Sequence, residues 1–189
     1  LPLLVELEMI LNIWLKNVPP DAVLFTQLKI IESLILSLSL PLATAARAPG
    51  KMKTYELTLG IIQLSIFFLS WVILKMGYPA YSVFVVAIIV NIVMFFVRLV
   101  IVRNLIDLSI KAFTLKVVIP IMGVIVLSTI PTYLLQKTLP LGSIFSIIVI
   151  ISSVILSAIT MFYLGLDKNW REKIRQYLIG KTHKLISKK

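Results

Sequence analysis

The sequence predicts an all-α integral membrane protein: a polytopic helix bundle with five complete transmembrane helices and the end of a sixth. Three observations carry this. The chain is 59% hydrophobic and 14% charged, with mean hydropathy +1.03, more apolar surface than a soluble core of 189 residues can hide. The apolar residues fall in runs near the ~20 residues that cross a ~30 Å hydrocarbon layer. Those runs are too long for membrane β-strands and lack the two-residue alternation of a barrel.

In chain order, residues 1–15 read as the end of a truncated helix. They open at Leu1 in an apolar stretch, with no basic segment or small-residue cleavage site of a signal peptide. On this reading the sequence is the C-terminal part of a longer protein whose N-terminal half is its partner. Complete spans follow at 24–46, 57–74, 81–102, 115–135 and 141–166. Residues 1–166 thus form the bundle and 167–189 a basic tail. Pro and Gly punctuate the connectors Val18-Pro19-Pro20-Asp21, Ala48-Pro49-Gly50-Lys51, Met76-Gly77-Tyr78-Pro79 and Leu139-Pro140-Leu141-Gly142. Links this short make sequential helices antiparallel.

Charge then orients the bundle. The net charge is +11 and the pI about 10.0, which in a membrane protein points to topology and anionic lipid before nucleic acid. One set of span ends carries Lys16, Lys29, Lys75 and Lys137. The alternate set, Arg47–Glu56, Arg98–Lys116 and the tail, carries fifteen basic residues. Basic residues flanking spans stay cytoplasmic, so the second set and the C-terminus are predicted inside. Aromatic side chains mark the interfaces: Trp14, Trp71, Tyr78, Tyr81 and Tyr133 outside, Tyr55, Tyr163 and Trp170 inside. In the tail, Trp170, Ile174, Tyr177 and Leu178 recur at helical spacing opposite basic residues, with Gly180 as a stop. That pattern predicts a helix on the inner membrane surface, held by anionic lipid.

Candidate functional residues are the polar ones at membrane depth, because charge there is costly and turns toward protein or water rather than lipid. Glu32 lies about eight residues inside the first complete span, with Lys29 one turn earlier as a partner. At 100° per residue, Thr26, Lys29, Glu32, Ser33, Ser37, Thr44 and Arg47 fall on one face, opposite Leu and Ile. This face is predicted to line a hydrated cavity; the simpler alternative is a structural Lys29–Glu32 ion pair. Pro41 removes one backbone hydrogen bond from the same helix. In the third complete span Asn91 and Arg98 are seven residues apart and share a face. Arg98 either snorkels to head groups or offers phosphate its planar fork at the inner mouth of a cavity. Gln63 and Ser70 are expected to hydrogen-bond between helices, and Ser146, Ser153, Ser157 and Thr160 to form a close-packing stripe. Glu6 and Glu8 project to different faces of the first helix.

Signals for catalysis are weak. Cysteine is absent, which excludes disulfides and thiolate metal sites, and His183 is the sole histidine. No GxxxxGK[ST] loop is present, and the carboxylates are scattered without a dense acidic motif for magnesium. No catalytic residue, metal ligand or cofactor site is assigned.

One resemblance covers essentially the whole chain. It rests on the order Ile13-Trp14-Leu15-Lys16-Asn17-Val18-Pro19 then Ala22-Val23-Leu24-Phe25, a span ending Leu40-Pro41-Leu42-Ala43-Thr44, Ala48-Pro49-Gly50-Lys51-Met52-Lys53-Thr54-Tyr55, and Leu74-Lys75-Met76-Gly77-Tyr78-Pro79. This resembles the C-terminal half of polysaccharide flippases of the O-antigen type, in the superfamily that includes multidrug and toxic compound extrusion transporters. Pro49 stands where the family more often has Thr. The resemblance implies two facing six-helix lobes in a bacterial inner membrane. It implies alternating-access transfer of an undecaprenyl-diphosphate-linked glycan, a precursor of lipopolysaccharide or other polysaccharide, from the cytoplasmic to the periplasmic leaflet. On that basis Lys29, Arg47 and Arg98 are expected to draw the diphosphate, and Ser33, Ser37 and Asn91 to face the sugars. Glu32 is expected to pair with Lys29 or to bind a coupling proton or sodium ion. The rival readings are a cation-coupled drug exporter, a membrane enzyme of glycan assembly, and a structural subunit; the short loops argue against the enzyme.

The topology is directly testable, and the cysteine-free chain is a ready background. A Lys137→Cys variant is expected to react with an impermeant thiol reagent from outside the cell, and Lys111→Cys only after permeabilisation. The reverse pattern would invert the orientation.

Overall fold

The computed structural model describes residues 4, 7–15, 17–47, 50, 52–138, 143–166 and 169–177. Its regular elements are all helical: α1 (Leu7–Trp14), α2 (Ala22–Arg47), α3 (Met52–Lys75), α4 (Ser82–Ile106), α5 (Ile110–Phe113), a π-helical segment π1 (Thr114–Val118), α6 (Ile119–Thr138), α7 (Ser143–Thr160) and a second π segment, π2 (Met161–Gly165). A last helix, α8, covers residues 169–177. Five helices are long and apolar enough to cross a membrane: Ala22–Arg47, Met52–Lys75, Ser82–Ile106, Ile110–Thr138 and Phe145–Gly165. The chain is therefore a multi-pass helical membrane protein.

The helices overrun the predicted spans at charged or capped ends. The third span continues through Arg103 to Ile106 and stops where Asp107 turns left-handed (φ 51°). Ser109 then starts the next helix by accepting a hydrogen bond from Ala112 N at 3.3 Å, the usual service of an N-terminal cap. A helix begins and ends where backbone groups find partners, whereas a hydropathy run ends at the first charge. The connector 139–142 and residues Lys16, Ala48, Pro49, Lys51, Asp167, Lys168 and 178–189, including Gly180 and His183, lie outside the described residues. So does Glu6; Glu8 is exposed.

The chain forms two compact units. In the unit spanning Ile10–Thr114, α4 is central and packs against both α2 and α3, which barely touch each other. Val86, Ala87, Val90, Met94, Leu99 and Val102 are buried on the packed faces of α4, while Ile89, Val93, Phe96 and Val100 stay exposed, an apolar face suited to lipid. The turn from α3 into α4 is a Schellman motif. Gly77 N donates to Leu74 O at 3.1 Å and Tyr78 N to Ile73 O at 3.3 Å, with Gly77 at φ 84°.

The second unit contains Leu115–Lys189. Here α6 packs against α7 and π2. Buried Ser128, Thr132, Val149 and Ser153 line the contact. The hydroxyls of Ser128, Thr132 and Ser153 each bond a carbonyl of their own helix, at Val124, Ser128 and Ile150 respectively. Small side chains that bond to their own helix let two backbones approach without stranding a polar group. Of the expected stripe, Ser153 is buried, and Ser146, Ser157 and Thr160 are half-buried.

Gly77 supplies a clean test of the α3–α4 turn. Gly77→Ala forces a Cβ into a left-handed conformation and is expected to cost about 1–2 kcal/mol, with Gly77→Asn costing less. Thermal unfolding in detergent, read against wild type, checks both.

Candidate functional site

The candidate site lies on the seam between α2 and α4. These two helices run parallel, because the antiparallel α3 separates them in sequence. Three cross-helix contacts share one offset of 59 residues. Phe25 stacks on Phe84 with ring centroids 5.5 Å apart. Asn91 Nδ2 donates to Glu32 Oε1 at 3.1 Å. Arg98 Nη1 donates to Ser39 O at 3.2 Å. Each rung is seven residues from the next, about 10.5 Å along a helix. A seven-residue repeat keeps one face of each helix on its neighbour along the whole contact. Ser39, Leu42 and Ala46 continue the buried face of α2 toward its C-terminal end.

Glu32 occupies the middle rung with 6% of its surface exposed, and Asn91 faces it with 1%. An isolated carboxylate at such a site is very costly. Two donors compensate: the Asn91 amide on Oε1, and Lys29 Nζ on Oε2 at 2.8 Å. The Lys29 side chain is 58% exposed, so the ammonium reaches in from the surface of the unit.

Arg98 ties three helices together. Its Nη1 holds the α2 carbonyl of Ser39, and its guanidinium carbon lies 5.8 Å from the centre of the Tyr55 ring on α3, within cation–π range. The helical ladder of α2 need not break for this, since a backbone carbonyl has two lone pairs and can accept twice. Four polar atoms on this seam and beside it are buried and carry no hydrogen bond: Asn91 Oδ1, Ser39 Oγ, Arg98 Nε and Tyr55 Oη. The seam thus retains both acceptors and donors for a further polar partner.

The remaining predicted stripe residues, Ser33, Ser37, Thr44 and Arg47, are exposed on α2 beside this seam. Ser33, Ser37 and Thr44 each donate to a carbonyl of their own helix, at Lys29, Leu34 and Leu40. Thr26 does the same at Ala22. Their hydroxyl oxygens stay available as acceptors. The face therefore divides. Glu32 stands at its edge and turns into α4, while Lys29, Ser33, Ser37, Thr44 and Arg47 remain on the surface of the unit.

Two expectations need correction. Tyr55 is not an interfacial aromatic: it is buried under Arg98. Neither Gln63 nor Ser70 makes the expected hydrogen bond to another helix: Gln63 is exposed and the buried Ser70 hydroxyl has no partner. Seven residues of separation put two side chains on one face, but that face of α3 turns partly away from α4. Sequence reasoning also missed the Glu32–Asn91 bond. Its signal was present as matched heptads, Phe25, Glu32 and Ser39 against Phe84, Asn91 and Arg98. Among the described residues, no group of three or more His, Asp or Glu gathers to hold a metal.

Comparisons with protein-family models, with curated proteins and with solved structures returned no match. The fold and this site define the chain's class as a multi-pass helical membrane protein with a charged, hydrogen-bonded seam inside its spans.

The seam can be tested by a double-mutant cycle. Asn91→Leu strands one oxygen of a buried carboxylate and is expected to destabilise the protein by about 1–3 kcal/mol. Adding Glu32→Leu removes the stranded group and should restore part of the loss, with a coupling of about 0.6–1.7 kcal/mol. Unfolding in detergent–denaturant mixtures measures each corner; strict additivity would mean the bond contributes nothing.

Proposed function

We propose that the protein is a transporter of lipid-linked oligosaccharide, moving an undecaprenyl-diphosphate-linked glycan from the cytoplasmic to the periplasmic leaflet by alternating access. One observation supports this above the others. A membrane-spanning helix carries Lys29, Ser33, Ser37, Thr44 and Arg47 on its surface, beside a seam holding Glu32, Asn91 and Arg98. A helix gains nothing by presenting such a stripe to lipid, so the stripe suits a hydrated path. Hydroxyls and an amide are the groups that sugars hydrogen-bond, and Arg and Lys are the groups that hold a diphosphate.

The cation balance also favours an anionic cargo. Among the described residues of α2 and α4, Lys29 neutralises Glu32 directly, and Arg47, Arg98 and Arg103 remain as uncompensated charge. A cation exporter would need the opposite balance, a free carboxylate facing the path. The loop charges and the flippase resemblance support a bacterial inner-membrane location with a cytoplasmic C-terminus. In this reading Lys29, Glu32, Ser33, Ser37, Arg47, Asn91 and Arg98 line the glycan path. Arg98 acts near the inner end on the diphosphate, while the Glu32–Lys29 pair shapes the middle or exchanges a coupling ion.

Translocation of undecaprenyl-diphosphate-linked oligosaccharide by the protein reconstituted in vesicles tests the assignment. Arg98→Ala and Glu32→Ala are each expected to lower the initial rate at least about tenfold, an activation difference of ~1.4 kcal/mol. Arg98→Lys should recover only part, because an ammonium lacks the planar fork. Full activity in both alanine variants would remove these residues from the path.

A further inference from the structure

The helix α8, residues 169–177, stands apart from the seam and uses different chemistry. It follows the last span after a single extended residue, Leu166 (φ −104°, ψ 135°), and two more in sequence. Arg171 Nε donates to the Leu166 carbonyl at 3.1 Å. That bond satisfies an acceptor freed where π2 ends and ties the start of α8 to the end of the membrane span. Because only three residues link them, α8 begins within about 10 Å of the end of the span.

Its side chains sort by face. At about 100° per residue, Tyr177, Trp170 and Ile174 fall within about 60° of one another. Trp170 is 60% exposed and Tyr177 71% exposed, so the fold of the chain leaves this face largely uncovered. Lys173 flanks it on one side and Arg171 on the other, with Arg175 farther round, about 130° from the centre of the face. The acid, Glu172, lies roughly opposite Trp170. Lys173 bends over the Trp170 ring, with Nζ 5.1 Å from its centroid. Aromatic residues at the centre, cations at the rim and the acid turned away match the layered polarity of a lipid surface: acyl carbon, phosphate, then water.

We propose that α8 is an interfacial helix that lays Trp170, Ile174 and Tyr177 into the membrane surface, with Lys173 and Arg175 holding the phosphates of anionic lipid. Arg171 is partly engaged by Leu166, so it positions the helix while the other two bind. Two observations select a bilayer over a protein partner. The helix is tethered to a span end, which keeps it at the membrane surface, and its charge is complementary to an anionic leaflet. Residues 178–189 add Lys181, Lys184, Lys188 and Lys189 in sequence and no acid. The lysines reinforce attraction to such a surface, where each basic residue acts only within a Debye length. The role requires no glycan and is independent of the transport reading.

Trp170 itself reports the outcome. With Trp14→Phe and Trp71→Phe, Trp170 is the single tryptophan of the protein. This protein is placed in nanodiscs of pure phosphatidylcholine and in discs with added phosphatidylglycerol, which expose both membrane faces. In the anionic discs Trp170 emission is expected to shift to the blue, to be quenched by lipid brominated near the head group, and to be shielded several-fold from acrylamide. High salt and the variant R171Q/K173Q/R175Q should each reverse the anionic-lipid dependence. Trp170 left fully open to acrylamide in both discs overturns the proposal without recourse to a variant. Shielding that is equal in both discs and insensitive to salt overturns the anionic-lipid part and points to a protein contact. If the triple variant keeps full lipid-dependent shielding, these basic residues are not the binding groups.

Discussion

The hydrogen bond between Glu32 and Asn91 is the constraint around which the α2–α4–α3 unit is arranged. A carboxylate buried in an apolar span is tolerable only when donors surround it. Asn91 supplies one from α4, and Lys29 supplies the other from one turn earlier on α2. Sliding α4 by one residue would break that bond and also separate Phe25 from Phe84 and Arg98 from the Ser39 carbonyl. Hydrophobic contact between two leucine-rich helices tolerates many registers, because lipid and leucine are equally apolar. A polar rung tolerates one. The same logic governs polar residues inserted in coiled-coil interfaces, where they specify alignment at some cost in stability.

Arg98 extends the constraint to the third helix. Held by the Ser39 carbonyl and lying over Tyr55, it positions α2, α3 and α4 near one level of the bundle. It also concentrates unfilled hydrogen-bonding capacity there. Buried polar atoms in folded proteins are nearly always paired, so the unpaired Ser39 Oγ, Arg98 Nε, Tyr55 Oη and Asn91 Oδ1 form an unusual cluster along one seam. A seam holding both donors and acceptors, bordered by a polar helix face, is suited to a cargo that has phosphates at one end and sugar hydroxyls beyond.

The Leu115–Lys189 unit is built on another principle. Among its buried polar side chains, Ser128, Thr132 and Ser153 bond carbonyls of their own helices, while the hydroxyls of Thr129 and Ser157 carry no hydrogen bond; none of these groups brings charge to depth. The irregularity is in the backbone instead: π1 lies at the N-terminal end of α6, and π2 packs against α6. A π turn adds a residue to the helical ladder and rotates the turns beyond it, which shifts the side chains that reach the neighbouring helix. At Gly123 a Cβ would stand 3.7 Å from Leu164 Cδ1, an ordinary contact, so π2 approaches α6 without depending on this glycine.

Much of the architecture was legible in the amino-acid sequence because lipid acts on each helix separately. Span number, the short turns at Gly77 and Pro19, the Lys29–Glu32 pair and the shared face of Asn91 and Arg98 follow from length, hydropathy and helical spacing, all of which are local properties. The partners of Glu32 and Arg98 on other helices were not legible. They depend on which face α4 turns toward α2 and α3, and apolar surface alone does not choose. The π segments escaped for a similar reason: nothing in Thr114–Val118 or Met161–Gly165 differs in composition from an ordinary helix. Sequence by itself determined that this chain crosses a membrane repeatedly and where charge enters the spans. Only the tertiary structure decided that Glu32 belongs to a cross-helix rung and Tyr55 to the Arg98 cluster, because those assignments come from the packing of one helix surface on another.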